Sequence, residues 1–209
     1  MKIALASDLH LEFGDVEIQN TENADVLILS GDICVAQHFK GKYKYSQRYL
    51  DFFRRVTDQF PKVIYVLGNH EHYSGDLADT YYLLKAHLKF SNLHILENET
   101  VDINDITFIG TTLWTDMNNE DAGTLYYMPN AMNDFREVRN SNRMVHRKVP
   151  LYLKDINTDQ YIKDDKGYLI PNGFKEKIEP GRFSPEDSVA EHKKALDYIN
   201  AVVAEQPDR

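Results

Sequence analysis

The chain of 209 residues has a single cysteine, no excess of basic residues, and no apolar run approaching the ~18 residues that cross a bilayer. One cysteine, Cys34, cannot close an intramolecular disulfide, so the fold must rest on its core, as suits a reducing compartment. Residues 1–7 are too short for the apolar stretch of a signal peptide, and cytoplasm is the default expectation. Lysine and arginine number 24 against 33 aspartates and glutamates, giving a net charge of −9. That balance argues against a nonspecific duplex nucleic-acid binder, which would show a basic footprint. It leaves phosphate-bearing ligands open, because bound cations can dominate local charge. The glycine-rich G-x-x-x-x-G-K-[ST] loop and the G-x-S-x-G elbow are both missing, which removes the usual nucleotide-cradle and serine-hydrolase readings.

What is present is a set of apolar strand patterns that each end in polar, ligand-type residues. Ile3 to Ser7 delivers Asp8 and His10; Val26 to Gly31 delivers Asp32; Lys62 to Leu67 runs through Gly68 into Asn69, His70 and Glu71. Ligands of open α/β sheets bind outside the carboxyl ends of the strands, so three strands are expected to discharge these residues at one rim. Asp8 and His10 lie two apart, which puts both side chains on one side if the segment stays extended. Ile33 to Gly41 reads as a loop with Gln37, His38 and Lys40 facing solvent, and Cys34 as a small packing residue.

Helical spacing marks Tyr43 to Phe60, through Tyr45, Tyr49, Phe52, Phe53 and Val56, with Pro61 as its stop. A second helix is predicted over Asp76 to Phe90, capped by Asp76, with Leu77, Tyr81, Leu84 and Leu88 inward. A strand at 93–96 and a hairpin turning at Asn104-Asp105 follow, and Thr111 to Trp114 should return towards the rim. Residues 117–184 lose periodicity and read as a cap or insertion, with a hairpin around Asp164 to Gly167 and Arg136 paired with Asp134 or Glu137. Ser184 and Asp187 should cap a last helix from Pro185, whose stripe is Val189, His192, Leu196, Ile199 and Val203. Trp114 reads as a packing residue and His72 as a surface one.

Taken together, Asp8-x-His10, Gly31-Asp32 and Gly68-Asn69-His70-Glu71 resemble the calcineurin-like metallophosphoesterase superfamily. The resemblance implies an α/β fold, the αββα four-layer sandwich, as a single domain over 1–209 with 117–184 as its cap. It implies two divalent metal ions, Mn²⁺ first with Fe or Zn²⁺ as alternatives, since nitrogen and oxygen donors without thiolate do not choose among them. Asp8 and His10 would hold the first ion, Asp32 would bridge both, and Asn69 would serve the second. His70 would be the catalytic proton donor and Glu71 would orient it. The implied substrate is a phosphate mono- or diester, with no membrane partner.

The family's later Gly-His and Gly-His-x-His motifs are missing: none of the ten glycines precedes a histidine. His87, His94, His146 and His192 lack that context, leaving four of the expected seven ligands. Two expectations compete. Either a C-terminal continuation of the same protein completes the strands and the site, or the chain is a degenerate, non-catalytic binding or regulatory domain.

Overall fold

A computed structural model describes residues 1–41 and 43–205 of the protein. Four strands form a parallel sheet in sequence order: β1 (Ile3–Ala6), β2 (Val26–Ser30), β3 (Lys62–Val66) and β4 (Leu93–Leu96). A parallel sheet needs apolar cover on both faces. Helices α1 (Tyr43–Gln59) and α2 (Leu77–His87) supply one cover. Tyr49, Phe52, Phe53, Val56, Leu84 and Leu88 meet Leu27, Leu29, Val63, Tyr65 and Ile95 there. On the opposite face, the antiparallel hairpin of β5 (Glu99–Ile103) and β6 (Ile106–Gly110) packs Val101, Ile103 and Phe108 against Val26, Ile28, Ile64, Val66 and Leu96. Gly110 permits that approach, because a Cβ there would overlap the Cβ of Leu96. At the edge strand β1, Ile3 and Leu5 stay exposed.

The local signals act as their chemistry requires. The carboxylate of Asp76 accepts the Ala78 N–H at 3.1 Å and starts α2. Helix α6 (Pro185–Glu205) opens on a reciprocal cap: Ser184 Oγ accepts the Asp187 N–H at 3.2 Å, and Asp187 Oδ2 accepts the Ser184 N–H at 2.9 Å. The inner stripe of α6 is shifted from the predicted one, with Ala195 buried where Leu196 was expected and Leu196 and Val203 exposed. His192 gives its Nδ1–H to the carbonyl of Trp114 at 2.6 Å. Between β6 and α6 lie the short turns α3 (Met117–Glu120) and α5 (Asp134–Glu137) and the helix α4 (Ala122–Ala131). Trp114, Met117, Phe135, Val138, Phe183 and Val189 make a second apolar cluster there, so Trp114 is a packing residue.

Three expectations about single residues are corrected. His38 is buried in a 3-10 turn, Ala36–Lys40, with Nδ1 2.7 Å from the hydroxyl of Tyr49, because the chain folds back onto α1. His72 is buried against Trp114, with its pKa lowered to about 4 by burial. Arg136 donates to the Asn130 carbonyl at 2.6 Å, while Asp134 is engaged elsewhere.

Asn140–Gly181 form a second compact unit, distinct from residues 1–139 and the chain from Arg182 onward. It is built on the ribbon of β7 (Arg139–Tyr152) and β8 (Pro171–Arg182). Near its tip Lys163 pairs with Leu169, and Gly167, at φ +86°, closes the turn onto the Asp164 carbonyl at 2.9 Å.

Candidate metal centre

The ends of β1, β2 and β3 are drawn together by backbone before any side chain acts. Past Ala6 the first segment keeps pairing with the second: the Asp8 N–H meets the Gly31 carbonyl at 3.1 Å and the His10 N–H meets the Asp32 carbonyl at 2.9 Å. It is no longer extended, however. Asp8, His10 and Asp32 all have left-handed φ, at +56°, +45° and +55°. Such strain in residues other than glycine persists only where the surroundings over-determine it, and it gathers at functional sites. The same-side geometry expected of Asp8 and His10 therefore does not apply.

Two glycines allow the second and third strand ends to touch. At Gly31, φ is +82° and a Cβ would lie 2.8 Å from the Cα of Gly68. At Gly68, a Cβ would collide with Asp32 Oδ1 and sit 2.7 Å from its amide nitrogen. Glu71, fully buried, then ties both loops together. Its carboxylate accepts the N–H groups of Asp32 at 3.0 Å, Ile33 at 2.7 Å, Cys34 at 3.3 Å and Gly68 at 2.7 Å, together with the Tyr65 hydroxyl at 2.7 Å. Burial pushes the pKa of Glu71 up, against the pull of its hydrogen bonds from Tyr65, Ile33 and Gly68. Glu71 thus holds the loop carrying Asp32, where the family pattern suggested that it would orient His70.

Among the described residues, one group of three metal-type side chains converges: His10, Asp32 and His70 place ligand atoms within 4.8 Å of one another. Asp32 Oδ1 also accepts the His70 N–H at 3.0 Å, which leaves Oδ2 for a further partner. The rings of His10 and His70 meet edge to face at 4.4 Å, and His70 stacks on Tyr73 at 4.2 Å. Asp8 is not in this group; it is exposed and takes the Ser7 hydroxyl on its carboxylate.

Asn69 gives Nδ2 to the buried Asp134 at 2.7 Å and to the Tyr73 hydroxyl at 3.3 Å. A carboxylate only accepts, so the amide is oriented with its carbonyl oxygen turned away from Asp134. Asn69 and Asp134 also line a cleft of about 500 Å³ with Ser30, Gly68, Thr112 and Trp114. None of the three convergent donors lines it; the cleft borders them on the Asn69 side. Thr112 anchors its wall, its hydroxyl lying 3.0 Å from the Leu67 carbonyl and 2.6 Å from the Glu97 carboxylate, so the segment after β6 returns to the rim.

Glu12 and Asp134 are the two participants not foreseen from the sequence. Glu12 Oε1 lies 3.3 Å from His10 Nδ1 and 3.1 Å from His70 Nδ1. It continues the alternation Asp8, His10, Glu12, a signal visible in the sequence. Asp134 carries none, because its partner is 65 residues away. His87, His94, His146 and His192 are not in the convergent group.

Imidazole nitrogens and a carboxylate with one free oxygen suit a divalent cation of the Mn²⁺, Fe or Zn²⁺ class. The donor set therefore fits the implied metal, and the Asn69 carbonyl adds an oxygen of the right kind. No helix of the described residues is long and apolar enough to cross a membrane.

An uncharacterised protein of Acanthamoeba polyphaga mimivirus is 26% identical over 192 residues, covering 83% of this chain and 63% of the viral protein. The chain thus spans less than two thirds of that relative. Among solved structures, the phosphopantetheinyl hydrolase of Mycobacterium tuberculosis is similar over 66% of this chain and 54% of its own, at 18% identity and a TM-score of 0.46. The calcineurin-like phosphoesterase profile matches residues 1–199, from the first strand into the last helix, and the chain belongs to that family.

Proposed function

We propose that the protein is a metal-dependent phosphoesterase that hydrolyses phosphate mono- or diesters at the rim formed by His10, Asp32, Asn69 and His70. The observation that carries this reading is the convergence of His10, Asp32 and His70 from three separate strand ends. His10 and Asp32 would hold a divalent cation, the Asn69 carbonyl would serve a second, and Asp8 would join the first by turning its exposed carboxylate inward. When bound, such cations activate water and neutralise charge on the phosphoryl oxygens.

The chain's own residues supply the remainder. Asp134 holds the Asn69 amide in one orientation. Tyr73 and His10 confine the His70 ring, and Glu12 engages its Nδ1, so the proton handled by His70 moves at Nε2. In its doubly protonated form His70 keeps one proton on Nδ1 against Glu12 and delivers the other from Nε2 to the departing alkoxide oxygen, which leaves the ring as the neutral Nδ1–H tautomer. The cleft beside Asn69 receives the organic part of the ester.

The test is hydrolysis of p-nitrophenyl phosphate and bis-p-nitrophenyl phosphate by Mn²⁺-loaded protein, with an alkyl ester alongside. Turnover should require the cation and vanish in Asp32→Asn. In His70→Ala it should fall most for the alkyl ester, whose leaving group needs the proton. A loaded protein with no turnover above the metal-free protein on any of the three would favour the second reading, a non-catalytic binding domain. The missing Gly-His motifs are the observation on that side.

A further inference from the structure

Glu12 is where the structure adds a role that the family motifs do not supply. It lies in the turn after β1 that the Phe13 N–H closes onto the His10 carbonyl, and its side chain is only 10% exposed. One oxygen, Oε1, faces the Nδ1 atoms of both His10 and His70, at 3.3 and 3.1 Å. The other, Oε2, is buried without a hydrogen-bond partner. A buried carboxylate oxygen in that position forgoes water, which is unfavourable unless the carboxylate's other contacts compensate.

Those contacts have a chemical consequence. A carboxylate can only accept, so each imidazole that bonds to it must carry its proton on Nδ1. Each neutral ring then keeps its lone pair on Nε2. The two histidines lie 60 positions apart in sequence, one after β1 and the other after β3, and one carboxylate sets both. Without an acceptor there, each ring would be free to choose either tautomer, and both imidazoles would be misprotonated for part of the time.

We infer that Glu12 is the positioning residue of this centre: it fixes His10 and His70 as Nδ1–H tautomers and so presents both Nε2 atoms to the metal and the reacting ester. The inference rests on the proposed metal-dependent reading, but its first readout needs no metal. Ligand-orienting carboxylates of this kind typically change metal affinity by about 10–100-fold when removed.

The experiment is long-range ¹H–¹⁵N correlation of the histidine rings in metal-free protein, followed by Mn²⁺ titration, for the wild type, Glu12→Leu and Glu12→Gln. The wild type should show both rings as Nδ1–H. Glu12→Leu, close in volume but with no acceptor, should lose that uniform tautomer and bind Mn²⁺ at least tenfold more weakly. Glu12→Gln, which keeps an acceptor oxygen, should retain the tautomers and fall between the two. A wild-type ring found as Nε2–H would overturn the inference without any variant. So would a Glu12→Leu protein with wild-type tautomers, whether its Mn²⁺ affinity is kept or lost; loss alone would make Glu12 a ligand. If the wild type shows both Nδ1–H rings yet takes up no Mn²⁺, the metal-dependent reading fails while the tautomer assignment stands.

Discussion

Asn69 donates its side-chain N–H to Asp134 at 2.7 Å, across 65 residues of chain, and this one bond decides which end of the amide faces the rim. Asp134 is 2% exposed, and Asn69 is half-buried beside it at the cleft. Asp134→Ala removes the shorter of the two hydrogen bonds of the Asn69 amide and leaves the one to Tyr73, at a loss of about 1 kcal/mol of stability. Asp134→Asn should be better tolerated in denaturant unfolding. Both should weaken uptake of a second Mn²⁺ more than of the first, read by calorimetric titration. Equal weakening of both would mean that Asn69 does not serve a separate ion.

Gly68→Ala puts a methyl group into the Asp32 carboxylate and 2.7 Å from its amide nitrogen. Gly110→Ala puts one against Leu96, including its Cδ1 at 2.9 Å, on the far face of the sheet. Overpacking of this kind costs about 1–3 kcal/mol. The two variants should lose comparable stability in chemical denaturation. Only Gly68→Ala should also lose Mn²⁺ binding, because only there does the displaced group belong to the centre.

Glu71→Gln replaces an acceptor of five hydrogen bonds by an amide whose NH₂ would face backbone N–H donors. The position is fully buried, and removing the charge strands those donors. A loss of about 3 kcal/mol or more is expected, lowering the melting temperature by roughly 6–12 °C in a chain of this size. Differential scanning fluorimetry measures it; a shift of a degree or less would remove Glu71 as the tie between the loops.

Cys34 is 0% exposed, and burial pushes its thiol pKa well up. It should therefore resist thiol-specific reagents in the native protein and react in denaturant, giving a single-site probe of unfolding. Rapid labelling without denaturant would show that the loop after β2 opens.

The sheet and its helices were legible because their signals are local. Apolar runs bounded by Gly31, Pro61 and Gly68 set the strands, and the Asp76 and Ser184–Asp187 caps set helix starts. Where prediction missed, the deciding partner lay far away in sequence. His38 is buried because Tyr49 awaits it, His72 because Trp114 does, and Asp134 joins the centre through Asn69. The shift from Leu196 to Ala195 on α6 is a matter of phase: both fit an apolar stripe, and packing selects the smaller side chain. Asp8 and His10 were assigned one face on the assumption of extended backbone, which their left-handed φ values contradict.

In the proposed site His10 and Asp32 would hold a divalent cation that His70 serves without being needed to retain it. Elemental analysis of wild type, Asp32→Asn and His70→Ala after Mn²⁺ loading and exhaustive dialysis separates the two roles. The wild type should retain at least one ion per chain, Asp32→Asn none, and His70→Ala the wild-type amount. Retention by Asp32→Asn would remove Asp32 as a ligand, and loss from His70→Ala equal to that from Asp32→Asn would make His70 a ligand instead of the proton carrier.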